Sequence, residues 1–390
     1  MKSDKPLKLI HLANFNSTNI GNGALINGLE STIEEDIPRP IQWLREPWDD
    51  YTFRLRDFDQ AFVDKVNASD GLIVGGAVTF NGRDYNDRTG TRFELPFDLW
   101  PELDRPVVFY GLSYRHWRGQ TYHHLDRFAE TISKILASDN MMLTLRNDGT
   151  RKWLKELIGV DTDRILDVPD PALFVCPGEG EYTEILDGAI NVMISFNDED
   201  ATHRFDERFS VPGKLNLSRD HVVDQLVSAL ERLADDYPAI NYILCPHYFD
   251  DYRMISTFLD RIRPRLVHQR MVSTGLCRVK DVASFYGRYT QADLAISMRV
   301  HSMSACIGLG TPIVAYTTQD RMTDFMDGIG LDDLYVDAFG ISSGEALYRR
   351  AKFVLDNRPA VRQRLMETRA GLRQASRVFH HRVHDFLTSV

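Results

Sequence analysis

The feature that most constrains this chain is a recurring one: an apolar run that breaks at glycine or polar residues and leads into a segment of helical periodicity. "LKLIHLANF" (Leu7 to Phe15) runs into "NSTNIGNG" and then "ALINGLESTI", whose apolar residues recur at helical spacing with Asn22 as a cap. "DGLIVGGAVTF" (Asp70 to Phe80) and "RPVVFYGLSY" (Arg105 to Tyr114) are further buried strands that break at glycine. "MMLTLRNDGTRKWLKELIGV" reads as strand, turn and helix, and "RILDVPDPALFV" closes the first half. The second half restarts with "NVMISFNDED", the helix "DQLVSALERLADDY", and "AINYILCPHYFDDYRMISTFLDRI" as strand, loop and helix. Its C-terminal stretch from Ala346 is mostly helical. Strand readings followed by helix readings predict parallel sheets with helices outside.

At 390 residues the chain is long for one core and comfortable for two. The expected organisation is therefore α/β, with two Rossmann-like parallel-sheet domains facing a cleft. Residues 1–178 form the N-terminal one, the expected acceptor side. Residues 179–390 form the second, ending in a helical tail, with "CPGEGEYTEI" at the boundary. A net charge of −10 excludes an extended nucleic-acid surface but leaves room for a local arginine cluster that binds small anions. Acidic stretches such as Asn197 to Asp200 read as solvated loops. The four cysteines, Cys176, Cys245, Cys277 and Cys306, are spaced for neither a zinc ribbon nor a disulfide framework. No run approaches a membrane span and no secretory leader is evident, so a cytoplasmic protein is expected, with peripheral membrane contact left open.

The densest chemistry lies in "ADLAISMRVHSMSACIGLGTPIVAYTTQDR" (Ala292 to Arg321), a buried strand, a polar turn, a helix of small residues and a second strand. Arg299 offers a fixed cation with a planar donor fork suited to phosphate or carboxylate. His301, two residues on, can give or take a proton near neutral pH. A surface arginine and a packed histidine is the alternative for this pair. Ser302 and Ser304 read as caps or ligand donors. Asn19, Gly21 and Asn22 open the first helix, where backbone N–H groups favour anions, although "NIGNGAL" is not a dinucleotide fingerprint. Gly75 and Gly76 permit close backbone approach, and Asn81 and Arg83 follow in a polar loop. Arg146 and Asn147 stand at a strand end. His247, Asp250 and Asp251 could bind sugar or phosphate or orient His301, and they make weak evidence for metal. Asp170 reads as a turn former. His380, His381 and His384 read as solvated or packing residues, so no metal site is expected.

These motifs together resemble the polysaccharide pyruvyl transferase family, from "NIGNGALINGL" through "GLIVGGAVTF", "VVFYGLSY", "TLRNDGTRKWLKELIGV" and "VPDPALFV" to the block that contains Arg299, His301, Gly310, Thr311 and Pro312. Asn22 stands where the family often has aspartate, and Arg321 is the cation in a loop where the family commonly has lysine. The resemblance implies a fold similar to GT-B glycosyltransferases. It implies transfer of a pyruvyl unit from phosphoenolpyruvate to hydroxyls of a saccharide acceptor, free or lipid-linked, without a further cofactor. Arg299 would then hold the donor anion, and His301 would be the catalytic acid or base. Two other readings are a GT-B-like glycosyltransferase using a nucleotide sugar and a noncatalytic glycan-binding or regulatory protein on the same fold.

Overall fold

The computed structural model describes residues 5–75, 78–81, 87–120, 123–163 and 165–389. Gly76 and Arg83 lie outside the described residues. The first sheet comprises β1 (Leu7–Ala13), β2 (Ile41–Pro47), β3 (Gly71–Gly75), β4 (Val78–Asn81), β5 (Val107–Arg115), β6 (Met141–Arg146) and β7 (Leu166–Val168). Its order is β2-β1-β3-β5-β6-β7, with β4 beside β5. The second sheet comprises β8 (Ile190–Ser195), β9 (Ile240–Cys245), β10 (Met271–Ser273), β11 (Leu294–Ser297), β12 (Ile313–Thr317) and β13 (Tyr335–Asp337), in the order β10-β9-β8-β11-β12-β13. Every strand pair is parallel. Central strands such as β3, β9, β11 and β12 are buried along their whole length, as expected of parallel strands covered by helices on both faces.

Both orders reverse direction near the middle, between β1 and β3 in one sheet and between β8 and β11 in the other. Such switch points leave a crevice beyond the strand C-termini, where doubly wound sheets bind ligands. Two helices stitch the sheets together. The helix Ile20–Asp36 gives Ile20, Ala24 and Leu25 to the core of the second sheet, and Leu29 and Ile33 to a core cluster on the first. The C-terminal helix Arg358–Thr388 starts on the second core with Val361 and Leu365 and crosses back to seat Phe379, Val383 and Leu387 beside Leu7 and Leu9.

Between the sheets lies a single turn of 3₁₀ helix, Pro171–Phe174, clamped from both sides. A Cβ on Gly28 would fall 1.9 Å from the Pro171 carbonyl oxygen, and one on Gly308 would fall 1.8 Å from that of Leu173. Glycine at these two positions lets the helices Ile20–Asp36 and Val300–Leu309 touch the same turn backbone. Both helices start at the cleft, so this contact fixes the site-bearing ends relative to each other.

Candidate functional site

The second sheet builds one wall at its switch point. Ser195 and Ser297, the last residues of β8 and β11, meet through their hydroxyls at 3.1 Å. Two residues beyond β11, Arg299 is the N-cap of the helix Val300–Leu309 and sends Nε to the Phe196 carbonyl at 2.9 Å. His301 lies in the first turn of that helix. The other wall comes from the turn after β1, where Asn19 caps the helix Ile20–Asp36 by accepting the Gly21 N–H at 3.1 Å. The expected cap, Asn22, instead sits inside the first helical turn, with Nδ2 donating to Ser17 Oγ at 3.0 Å. Gly21 packs against the imidazole, and a Cβ there would lie 3.0 Å from His301 Cδ2. Two helix N-termini thus converge on one cleft, an arrangement favourable to anions.

An inner cavity of about 100 Å³ is lined by Asn19, Gly21, Asn22, Arg92, Arg115, Glu199, His247, Arg299, His301 and Arg321, among others. Four arginines and two histidines face one acid, Glu199, among the described lining residues. A wider mouth of about 410 Å³ shares Asn14, Asn19, Asn22, Arg92 and Glu199 and adds Asn16, Ser17, Thr18, Phe53 and Tyr248. Its lining combines amide, hydroxyl and aromatic side chains with the carboxylates Asp49 and Asp50. A larger surface groove along the helix Ser343–Asp356 meets none of these residues.

His301 presents Nδ1 to Asp170 Oδ2 at 3.5 Å. Asp170 does order a turn, as expected, by accepting the Ala172 N–H at 2.8 Å. It also backs the histidine, a role that the sequence offers as one option for His247, Asp250 and Asp251. Burial would raise the Asp170 carboxyl, but Arg146 and His301 hold it down at about 2, so it is anionic at any working pH. Burial lowers the pKa of His301, Asp170 pulls it back up, and the charges of Arg146 and Arg321 oppose protonation. The resting imidazole is therefore mostly neutral at pH 7, with Asp170 positioned to favour a proton on Nδ1 and leave Nε2 as the working nitrogen.

Arg299 is buried and held by two carboxylates. Nε donates to Asp251 Oδ2 at 3.1 Å, Nη2 donates to Asp251 Oδ1, and Nη1 donates to Glu199 Oε2 at 3.3 Å. Asp251 itself accepts the backbone N–H groups of His247 at 2.8 Å and Tyr248 at 3.0 Å. Asp251 thus locks Arg299 rather than orienting His301. Arg321 also faces the cavity and donates to Ser113 Oγ of the first sheet at 2.9 Å. Burial brings its pKa down to about 10, so it stays cationic. His247 is fully buried, with Nε2 3.2 Å from the Tyr289 hydroxyl. Burial, followed by the charge of Arg299, holds it neutral.

Other sequence-predicted residues fall elsewhere. Arg146 lies beneath the cavity, its side chain fully buried and 3.5 Å from Asp170, so it supports the His301 partner instead of lining the site. Asn147 accepts the Asp170 N–H at 2.9 Å. Ser302 turns inward, with Oγ 3.4 Å from the Tyr289 hydroxyl, because its position on the helix faces the core. Gly75 ends β3 against His11, whose Nε2 would be 2.4 Å from an added Cβ. The Asn197–Asp200 stretch is no solvated loop: Asn197 and Asp198 are buried and Glu199 enters the cleft. His380 packs between Asp36 Oδ2 at 2.6 Å and the Tyr110 hydroxyl at 2.7 Å. Among the described residues no three His, Cys, Asp or Glu side chains gather as a metal-ligand set, and no helix is long and apolar enough to cross a membrane. All four cysteines are free.

Two parallel sheets facing a cleft at their switch points define the GT-B-like architecture of glycosyltransferases and sugar-nucleotide epimerases. Solved structures of that build overlay on nearly the whole chain. The S. aureus MnaA–UDP co-structure matches with TM-score 0.51 and 10% identity, over 92% of this chain and 91% of that one. UDP-GlcNAc 2-epimerase from Neisseria meningitidis bound to UDP-GlcNAc gives 0.51 and 10%, over 97% and 99%. The OtsA apo structure gives 0.53 and 10%, over 98% and 99%. At such identities these likenesses speak for fold alone. No curated protein sequence matches the chain. The profile of the polysaccharide pyruvyl transferase family matches residues 19–320, and the chain belongs to that family, with a transferase-type catalytic domain.

Proposed function

We propose that the protein transfers a pyruvyl group from phosphoenolpyruvate to hydroxyls of a saccharide, releasing phosphate and forming a ketal. The observation that carries this reading is the pairing of a neutral, Asp170-backed His301 with an arginine-lined cavity. Phosphoenolpyruvate brings a phosphate and a carboxylate, which suit Arg299, Arg321, Arg92, Arg115 and the two helix N-termini. The mouth, with its amides, hydroxyls and the carboxylates Asp49 and Asp50, suits a polyol, whose hydroxyls can donate to the acids and accept from the amides.

Donor binding places negative charge beside His301 and offsets the burial that holds it neutral, so the bound donor brings a proton onto Nε2. The imidazolium passes that proton to the methylene carbon C3, and the C2–C3 double-bond electrons form the new C–H bond. A saccharide hydroxyl attacks the resulting cationic C2 and returns its proton to Nε2. A second hydroxyl then displaces phosphate at C2 and gives its proton to the departing phosphate, which leaves with the C2–O electron pair and is stabilised by the arginines. The proton lost by the first hydroxyl replaces the one gained by C3, so one imidazole serves both steps.

The test is calorimetric titration with phosphoenolpyruvate in buffers of different ionisation enthalpy at pH 7, beside UDP-, GDP- and CMP-sugars. Selective phosphoenolpyruvate binding with net proton uptake, the uptake lost in His301→Gln, is the expected result. Selective binding of a nucleotide sugar would move the assignment to glycosyl transfer.

A further inference from the structure

The inner cavity already contains an anion of its own. Glu199 stands between the two walls, with Oε1 3.2 Å from Arg115 Nη2 at the end of β5 and Oε2 3.3 Å from Arg299 Nη1 beyond β11. Each arginine has a second, firmer carboxylate partner. Arg115 Nη1 is 2.6 Å from Asp200, and Arg299 is held through Nε and Nη2 by Asp251. The two carboxylates on Arg299 are differently anchored. Asp251 is fully buried and accepts backbone N–H groups, so it cannot leave. The Glu199 side chain is 25% exposed and lines both the inner cavity and its mouth. Its backbone, by contrast, is fixed: the N–H donates to Asn197 Oδ1 at 3.2 Å and the carbonyl accepts from Arg204 Nε at 3.1 Å. A pinned backbone carrying a partly exposed carboxylate can swing its head without disturbing the loop.

We infer that Glu199 occupies the anion seat of the site and sets the threshold for filling it, yielding Arg115 Nη2 and Arg299 Nη1 only to a ligand that carries more negative charge than one carboxylate. The inference rests on the donor reading above and deepens it. A monocarboxylate that replaced Glu199 would exchange one charge for an equal one and gain little. A phosphate dianion, or a molecule with phosphate and carboxylate together, gains Coulomb energy from two arginines on opposite walls and bridges them. The site thereby discriminates against singly charged anions such as free pyruvate while admitting phosphoenolpyruvate.

The experiment titrates wild type and Glu199→Gln with inorganic phosphate, pyruvate and phosphoenolpyruvate by calorimetry, with circular dichroism and thermal melting as controls for folding. The amide keeps the shape and removes the charge, so phosphate and pyruvate should both bind E199Q about tenfold or more tighter than wild type. Both should tighten by a similar factor, because vacating the same carboxylate costs each ligand the same, so pyruvate, too weakly charged to displace Glu199 in wild type, becomes measurable in the variant. Unchanged or weaker phosphate binding by folded E199Q overturns the inference. So does wild-type protein that binds pyruvate as tightly as phosphate, a comparison that holds even if the variant does not fold. If phosphate tightens but phosphoenolpyruvate gains nothing over it, Glu199 keeps this role and the donor reading falls.

Discussion

At the residue scale the site depends on a histidine whose protonation is set by opposing neighbours. Burial and the charges of Arg146 and Arg321 disfavour the imidazolium, and Asp170 favours it. Asp170→Asn should remove the negative charge that favours the imidazolium and, with Oδ1 held by the Ala172 N–H, turn an amide N–H toward Nδ1. We expect kcat to fall by about 10²–10⁴-fold, in the range seen when a histidine loses its orienting carboxylate. The pH profile separates positioning from mere structural support. In the free enzyme the acid form of His301 is required, so kcat/KM falls as pH rises through its lowered pKa. In D170N that pKa drops further, and the falling limb moves to lower pH. A rate loss with the limb unmoved would make Asp170 structural. Arg299 and His301 were legible because they follow an obvious buried strand. Asp170 was legible only as a turn former, since its partner comes from another sheet. Glu199 was misread because an acidic tetrapeptide looks solvated until the arginines of β5 and β11 are placed around it.

At the element scale, the long apolar runs of β1, β3, β5, β8, β9, β11 and β12 announced themselves because parallel strands buried on both faces need no alternation. The edge strands did not. β2, "IQWLREP", is half-exposed, and β10 and β13 have three residues each, too few to show a pattern. The helix start was misplaced to Asn22 because an asparagine three residues earlier serves equally well in sequence. The glycine contacts on Pro171–Phe174 were also invisible, because close approach leaves no mark beyond a glycine in a helix. They support a prediction. Gly28→Ala must push the Pro171 carbonyl aside, which should cost about 1–3 kcal/mol. It should also shift Asp170 against His301, lowering kcat more than donor affinity. Gly371→Ala is the control: it lies in the helix Arg358–Thr388 with nothing within 4 Å of an added Cβ. It should raise stability by about 0.5–1 kcal/mol. Chemical denaturation of both variants beside steady-state kinetics checks the pair, and a G28A enzyme with wild-type kcat would show that the clamp does not set the site.

At the scale of the whole molecule, two sheets of separate strand order could behave as independent units, yet the core argues otherwise. The helix Ile20–Asp36 and the C-terminal helix each divide their buried faces between the two sheets. Asp36 ties the two helices to each other: it accepts from Arg373 Nη1 at 2.6 Å and Nη2 at 2.8 Å and meets His380 on the same helix. Neither sheet can therefore lose its helices without exposing part of the other core. Calorimetric melting should show one transition, with both sheets unfolding together. Leu387→Ala tests this at the far end of the C-terminal helix, where the side chain packs on Gly71 of β3. The truncation should cost about 2–4 kcal/mol. If the helices couple the sheets, the single transition moves down by a few degrees without splitting, and the second sheet melts earlier though the substitution touches only the first. Two transitions, only one of them displaced, would mean that the sheets are joined at the cleft by polar contacts such as Arg115–Asp200 and not by a shared core.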